Sequence, residues 1–215
     1  MYPIRKSEVL RYLGYRKSMV ITKETDALVD ECINDLKKVI QPSMTYERFP
    51  IVRHDGILDI EGMIIDSKSL STNLKDCDEV FLFAATAGIG IDRMIHRAEL
   101  TNVAKAAIYQ AAGAEIVECI CDDLNDQLAE KVKKEGLRLK PRFSPGYGDT
   151  SLELQKDFER LLQMSKIGIH LNESLLMVPS KSVTAFIGIT KSKEKQKSGC
   201  ALCTAKNCTI RREGL

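Results

Sequence analysis

The stretch from Asn102 to Lys134 most constrains what this chain can fold into. It reads as one long helical region. Ala104, Ala107, Ile108, Ala111, Ala112, Glu115 and Ile116 recur at helical spacing and make a face of small residues that permits close packing. Gly113 marks either a bend or a close backbone contact, and Gly136 ends the helix. Just upstream, Glu79 to Thr86 is mostly apolar and reads as a buried strand. Thr86-Ala87-Gly88-Ile89-Gly90 then turns the chain into a helix from about Ile91. Such a turn can offer backbone N–H groups to an anion. It lacks the full dinucleotide fingerprint, so a tight structural turn is the preferred reading.

The remaining elements are shorter. Ser7 to Leu13 reads as a helix capped by Ser7 and stopped by Gly14. Thr22 to Val39 reads as a stronger one, capped by Thr22 or Thr25, with Pro42 just past its end. Thr45 to Val52 and Ile57 to Ile65 alternate as strands around an Asp55-Gly56 hairpin turn. Ser67 to Leu74 is a short helix, and Ser151 to Met164 is another with Leu152, Leu154, Phe158, Leu161 and Leu162 on its buried face. Ile167 to Ile169 and Leu175 to Val178 are short extended pieces, and Ser182 to Thr190 is the final strand. The strands cluster without regular alternation with helices. That pattern predicts an α+β fold with a largely antiparallel sheet. One domain is expected over residues 1–190, followed by a Lys-rich linker and Cys-containing tail over 191–215.

Composition narrows the function. With 215 residues, 44% hydrophobic and 29% charged, the chain is an ordinary globular protein. Lys+Arg 32 against Asp+Glu 30 argues against nucleic acid or an anionic membrane as the main partner. No apolar run spans a bilayer, and the first residues lack the layout of a signal peptide. Seven cysteines, an odd count with one cluster at the end, do not suit a secreted disulfide framework. A cytoplasmic protein is expected.

Chemistry concentrates in Arg142 to Asp149, Arg-Phe-Ser-Pro-Gly-Tyr-Gly-Asp. Pro145 pushes Ser144 toward an extended conformation. Gly146 and Gly148 leave the backbone bare for close approach of a ligand. Arg142 offers a planar fork of donors for a carboxylate, and Tyr147 a ring face and a hydroxyl. These groups suit a small zwitterionic ligand with an aromatic part. The alternative is a plain turn between two elements, with Arg142 solvated.

Arg142-x-x-x-Gly146-Tyr147 resembles the S-adenosylmethionine-binding signature of the activation domain of vitamin B12-dependent methionine synthase. Downstream, Ile167 to Ser174, Met177-Val178-Pro179 and Ser182-Val183 are similar to that family's Leu-Thr-Glu-Ser, Met-x-Pro and Ser-Val segment, in the same order and spacing. The resemblance covers Arg142 to Ile189 well and the rest loosely. It implies a twisted antiparallel sheet with helices packed against it. It also implies a ligand site in which Arg142 meets the methionine carboxylate, backbone at Ser144 reads the adenine, Gly146 gives room and Tyr147 lines the pocket. A glutamate comes from the upstream helix in the family. Glu115 and Glu118 are the candidates, and Ala114-Glu115 fits the family pattern better. Glu173 either orders the neighbouring segment or is an exposed turn residue. A tyrosine of the family aligns with Ile187, which puts one ligand hydrogen bond in doubt.

The resemblance further implies reductive methylation of cob(II)alamin, using one electron and a methyl group from S-adenosylmethionine. The cobalamin is carried by a partner, and the electron comes from a separate donor. No general base is needed, and the three histidines form no motif. Because the chain leaves no room for folate-, homocysteine- or cobalamin-binding modules, action in trans on a methionine synthase or other corrinoid protein is expected. One rival is a corrinoid-docking module that does not use S-adenosylmethionine. Another is a metal or redox protein built on Cys200, Cys203 and Cys208. Cys-x-x-Cys chelates soft metals or an iron–sulfur centre, but three thiolates leave a tetrahedral site one ligand short.

Overall fold

A computed structural model describes residues 2–16 and 19–192. The chain starts with two helices, α1 (Lys6–Tyr12) and α2 (Lys23–Lys37). Strand β1 (Ser43–Pro50) follows, then a meander of β2 (Val52–His54), β3 (Ile57–Ile60) and β4 (Met63–Ile65), and helix α3 (Lys68–Asn73). The centre is β5 (Cys77–Thr86), α4 (Ile89–Thr101) and α5 (Val103–Lys133). The last third holds β6 (Arg138–Leu139), α6 (Gln155–Leu162), the small hairpin of β7 (His170–Leu171) and β8 (Met177–Val178), and β9 (Ser182–Thr190).

The main sheet runs β1-β5-β9-β6, and every neighbouring pair is antiparallel. Its two central strands are covered on both faces, which is why β5 carries an unbroken apolar run. Alternation divides that run. Phe81, Phe83 and Ala85 join Ala185, Ile187 and Ile189 against α1, α2, α4 and α5. Val80, Leu82 and Ala84 join Phe186 against the meander, α3 and α6. Phe158 of α6 meets Phe186 edge-to-face at 4.8 Å. The fold is α+β, with a largely antiparallel sheet and packed helices.

Helix α5 runs through Gly113 without interruption. A Cβ there would lie 3.0 Å from both Ile91 and the Lys181 side chain, so this glycine serves a close contact and not a bend. Asn102 caps α5 by accepting from the Lys105 N–H, and Thr22 caps α2 in the same way from Thr25. The turn before α4 is also a packing device. A Cβ at Gly90 would meet the Val39 carbonyl at 2.6 Å, and the Gly88 N–H already donates to Thr86.

Several boundaries differ from expectation. Helix α1 starts at Lys6 with Arg5 at its cap position and no side-chain cap, so Ser7 lies inside the helix. The run from Ile57 to Ile65 is two strands, because Glu61 and Gly62 both take positive φ and fold it back. The helix expected from Ser151 opens as a 3-10 turn over Leu152–Leu154 and ends at Leu162, where Gln163 turns left-handed. Ile167 closes another 3-10 turn and is not extended. Among the described residues, no helix is long and apolar enough to cross a membrane.

Candidate functional site

After β6 the chain stays beside β9. Phe143 and Phe186 exchange backbone hydrogen bonds of 3.0 and 2.8 Å. Phe143 packs against the meander-side core. Strand alternation therefore turns its neighbour Arg142 to the opposite face, toward α5. There the Arg142 Nη2 donates to Glu118 Oε2 at 3.0 Å and Asp122 Oδ1 at 2.9 Å. Its Nη1 is buried and has no hydrogen-bond partner among the described residues.

Glu118 and Asp122 belong to a stripe on α5 that also contains Glu115, Cys119, Asp123 and Asp126. The N-terminal segment runs along this stripe. Tyr2 donates its hydroxyl to Asp123 at 3.4 Å, the Cys119 thiol donates to the Pro3 carbonyl, and Arg5 Nε donates to Glu115 Oε1 at 2.6 Å. Arg5 Nη2 also lies 3.7 Å from Asp122 Oδ2. The charges thus form a chain: Glu115, Arg5, Asp122, Arg142, Glu118. Between the N-terminal segment and α5 lies a groove lined by Tyr2, Pro3, Arg5, Cys119, Asp122, Asp123 and Asp126. Its dominant charge is negative, with Arg5 as the cation. The hydrogen bond that Arg5 donates to Glu115 raises Arg5 above its ordinary value. Burial, and then Glu115, push the Cys119 thiol up to about 12, which disfavours the thiolate.

The glycine turn is pinned to α3. Asp149 accepts from the Ser67 hydroxyl at 2.6 Å and from the backbone N–H groups of Lys68 and Ser69 at 2.8 and 3.1 Å. Those bonds hold its carboxyl well below the usual range, with Ser67 the largest cause. Within the turn, the Gly146 N–H donates to the Thr150 carbonyl, and the Tyr147 N–H to the Ser144 carbonyl. Tyr147 is 68% exposed. A Cβ on Gly146 would meet Leu152 at 3.3 Å.

The expected site residues occupy three places. Arg142, Ser144, Gly146 and Tyr147 share one segment, and Arg142 faces α5. Glu115 is fully buried on the same helix and pairs with Arg5, whereas Glu118 is the glutamate that touches Arg142. Glu173 is exposed on the β7–β8 loop, in a second groove with Asn172, Ser174 and Leu152. Leu152 also lies against Gly146, so this groove adjoins the glycine turn. Ile187 is wholly buried in the helix-side core. Cys200, Cys203 and Cys208 lie outside the described residues, and among the described residues no group of three or more His, Cys, Asp or Glu is placed to hold a metal.

Asp122 and Arg5 escaped the sequence reading. The spacing Glu115, Glu118, Asp122 is the signal that could have found Asp122, since it puts three carboxylates on one helical face. Nothing in the first residues singles out Arg5.

An antiparallel sheet with α1, α2, α4 and α5 on one face and the meander, α3 and α6 on the other is a known architecture. It is the α+β fold of the methionine synthase activation domain. The chain matches a solved structure described as the MetH reactivation domain bound to AdoHcy, with a TM-score of 0.62 and 17% identity, covering 85% of this chain and 70% of that chain. That likeness establishes the fold. No protein-family model and no curated protein matches the sequence.

Proposed function

We propose that this protein binds S-adenosylmethionine beside Arg142 and supports reductive methylation of cob(II)alamin on a separate cytoplasmic methionine synthase, or another corrinoid protein, acting in trans. The observation that carries this reading is the Arg142 guanidinium. Two carboxylates hold its Nη2, and its Nη1 is a buried donor without an acceptor among the described residues. Leaving such a donor unpaired costs about 1–3 kcal/mol, so the geometry favours a ligand that brings an acceptor. The carboxylate of a methionine moiety is one. Among the described residues Glu115 Oε2, on the same helix face, is likewise buried and without a hydrogen-bond partner. A solved structure of this fold holds AdoHcy, a zwitterion of the kind these charges would attract.

When bound, S-adenosylmethionine would supply the methyl group, and an electron donor the electron. The protein's own part is to bind and orient. Arg142 would hold the carboxylate, Glu118 would keep the guanidinium aimed, and Tyr147 would offer its exposed ring. The bonds within the glycine turn hold Ser144 and Gly146 in place at no cost in reorganisation on binding. The test is reactivation of a cob(II)alamin-loaded synthase lacking its own activation domain, with S-adenosylmethionine and a chemical reductant, with and without this protein. Recovery of methyl transfer only when the protein is present is the expected result. Equal recovery in both arms refutes the proposal.

One observation favours a second reading. Ile187, where the family pattern has a tyrosine, is sealed in the core and offers a ligand nothing. A module that docks on a corrinoid protein without S-adenosylmethionine would tolerate that change. Calorimetry with S-adenosylmethionine separates the two, since only the first reading expects heat of binding.

A further inference from the structure

We propose that Asp122 is a positioning residue that couples ligand binding at Arg142 to the seating of residues 2–5 over the α5 groove. The proposal rests on the binding reading above. Asp122 divides its carboxylate between two cations. Oδ1 accepts a full hydrogen bond from Arg142 at 2.9 Å, while Oδ2 stands 3.7 Å from Arg5 Nη2, attracted but beyond hydrogen-bond length. The Asp122 side chain is 43% exposed, so it is free to shift.

Each neighbour limits how it shifts. Arg142 Nη2 keeps Glu118 at 3.0 Å if Asp122 leaves. Arg5 cannot follow outward, because its Nε is tied to fully buried Glu115 at 2.6 Å. A ligand carboxylate arriving at Arg142 Nη1 would place a third anion on one guanidinium. Like charges repel, and the anion with a second cation at hand is Asp122. It moves toward Arg5 and closes the 3.7 Å gap. The other polar ties of the segment are slight, a 3.4 Å bond from Tyr2 and a thiol bond to Pro3, while Tyr2 and Ile4 also pack against the helix-side core. Arg5 therefore carries the charged ties that hold residues 2–5 over the groove. Its carbonyl also accepts the first hydrogen bonds of α1, from the Glu8 and Val9 N–H groups. Amide exchange at those two residues reports on the seating of Arg5.

The experiment is hydrogen exchange on the full chain with and without saturating S-adenosylhomocysteine, with affinity measured in parallel by calorimetry. In the wild type the ligand slows exchange at Glu8 and Val9 by about threefold or more. In Asp122→Asn the ligand binds within about tenfold of wild-type affinity, as expected for loss of one partly exposed charged contact, and the slowing disappears. Arg5→Gln, which leaves Arg142, Glu118 and Asp122 together, also abolishes the slowing. Asp122→Glu restores part of it, which a merely structural role would not do. Binding with equal slowing in the wild type and both variants, or with none in the wild type, overturns the proposal and leaves the binding reading intact. No binding to the wild type overturns both.

Discussion

Arg5 and Glu115 lie 110 positions apart in the chain, and their side chains meet at 2.6 Å. The pair ties the N-terminal segment to the middle of α5. Glu115 is fully buried, while the Arg5 side chain is 46% exposed. Arg5→Ala therefore strands a buried carboxylate. The expected cost is about 2 kcal/mol, below the ~3–5 kcal/mol of a fully buried pair, because water reaches the vacated side. Adding Glu115→Gln recovers part of the loss. Urea unfolding of the three proteins checks this, and additive losses would refute the coupling.

Arg142→Ala removes the open Nη1 donor and leaves Glu118 and Asp122 without their shared cation. S-adenosylmethionine affinity falls by about tenfold to a hundredfold, the range for a hydrogen bond to a charged group. Arg142→Lys rescues little, since a point charge cannot serve Nη1 and Nη2 at once. Calorimetry reads both variants. Unchanged affinity in Arg142→Ala would remove this arginine from the ligand site.

Asp149 gives an acid-dependent contribution to stability. Its folded value is depressed, chiefly by the Ser67 hydroxyl and then by the Ser69 and Lys68 N–H groups. The contribution is complete above the ordinary carboxylate value of about 4 and is lost as pH falls through the lower folded value. Melting temperature should drop more steeply on acidification in the wild type than in Asp149→Asn. Parallel melting curves against pH would contradict this. Ser67→Ala, which also removes the cap on Leu70, should cost about 1–2 kcal/mol at neutral pH.

Burial of Cys32, Cys77, Cys119 and Cys121 predicts unreactive thiols in the native protein. Burial pushes Cys77 up to about 11 and Cys121 and Cys119 up to about 12, and raises Cys32. Alkylation of native protein at about pH 8 should leave these four unmodified, and denaturant should expose all of them. Mass spectrometry of the digested protein shows which cysteines react. Modification of any of the four before unfolding would count against the packing described.

How much was legible depended on range. Strand β9 follows its sequence reading residue for residue, because Ser182 to Thr190 is a continuous β-favouring run. The long helix and its Asn102 start were equally readable, since spacing and capping act within a few residues. The Glu61-Gly62 turn was missed because the apolar residues around it alternate as in one longer strand. The start of α1 was misplaced because Arg5, not a capping hydroxyl, occupies the cap position.

By itself the sequence determined the local elements, the α+β class and the segment in which Arg142 sits beside two glycines. Those follow from the period of apolar residues and from backbone preferences, which act over short distances. Only the tertiary structure decided the charge pairing. Glu115 and Glu118 are one turn apart on one helix face, and their spacing alone does not say which arginine each would meet. Arg5 reaches them from the N-terminal segment and Arg142 from the segment just after α5, and which carboxylate each arginine takes was set by how those two segments pack against α5.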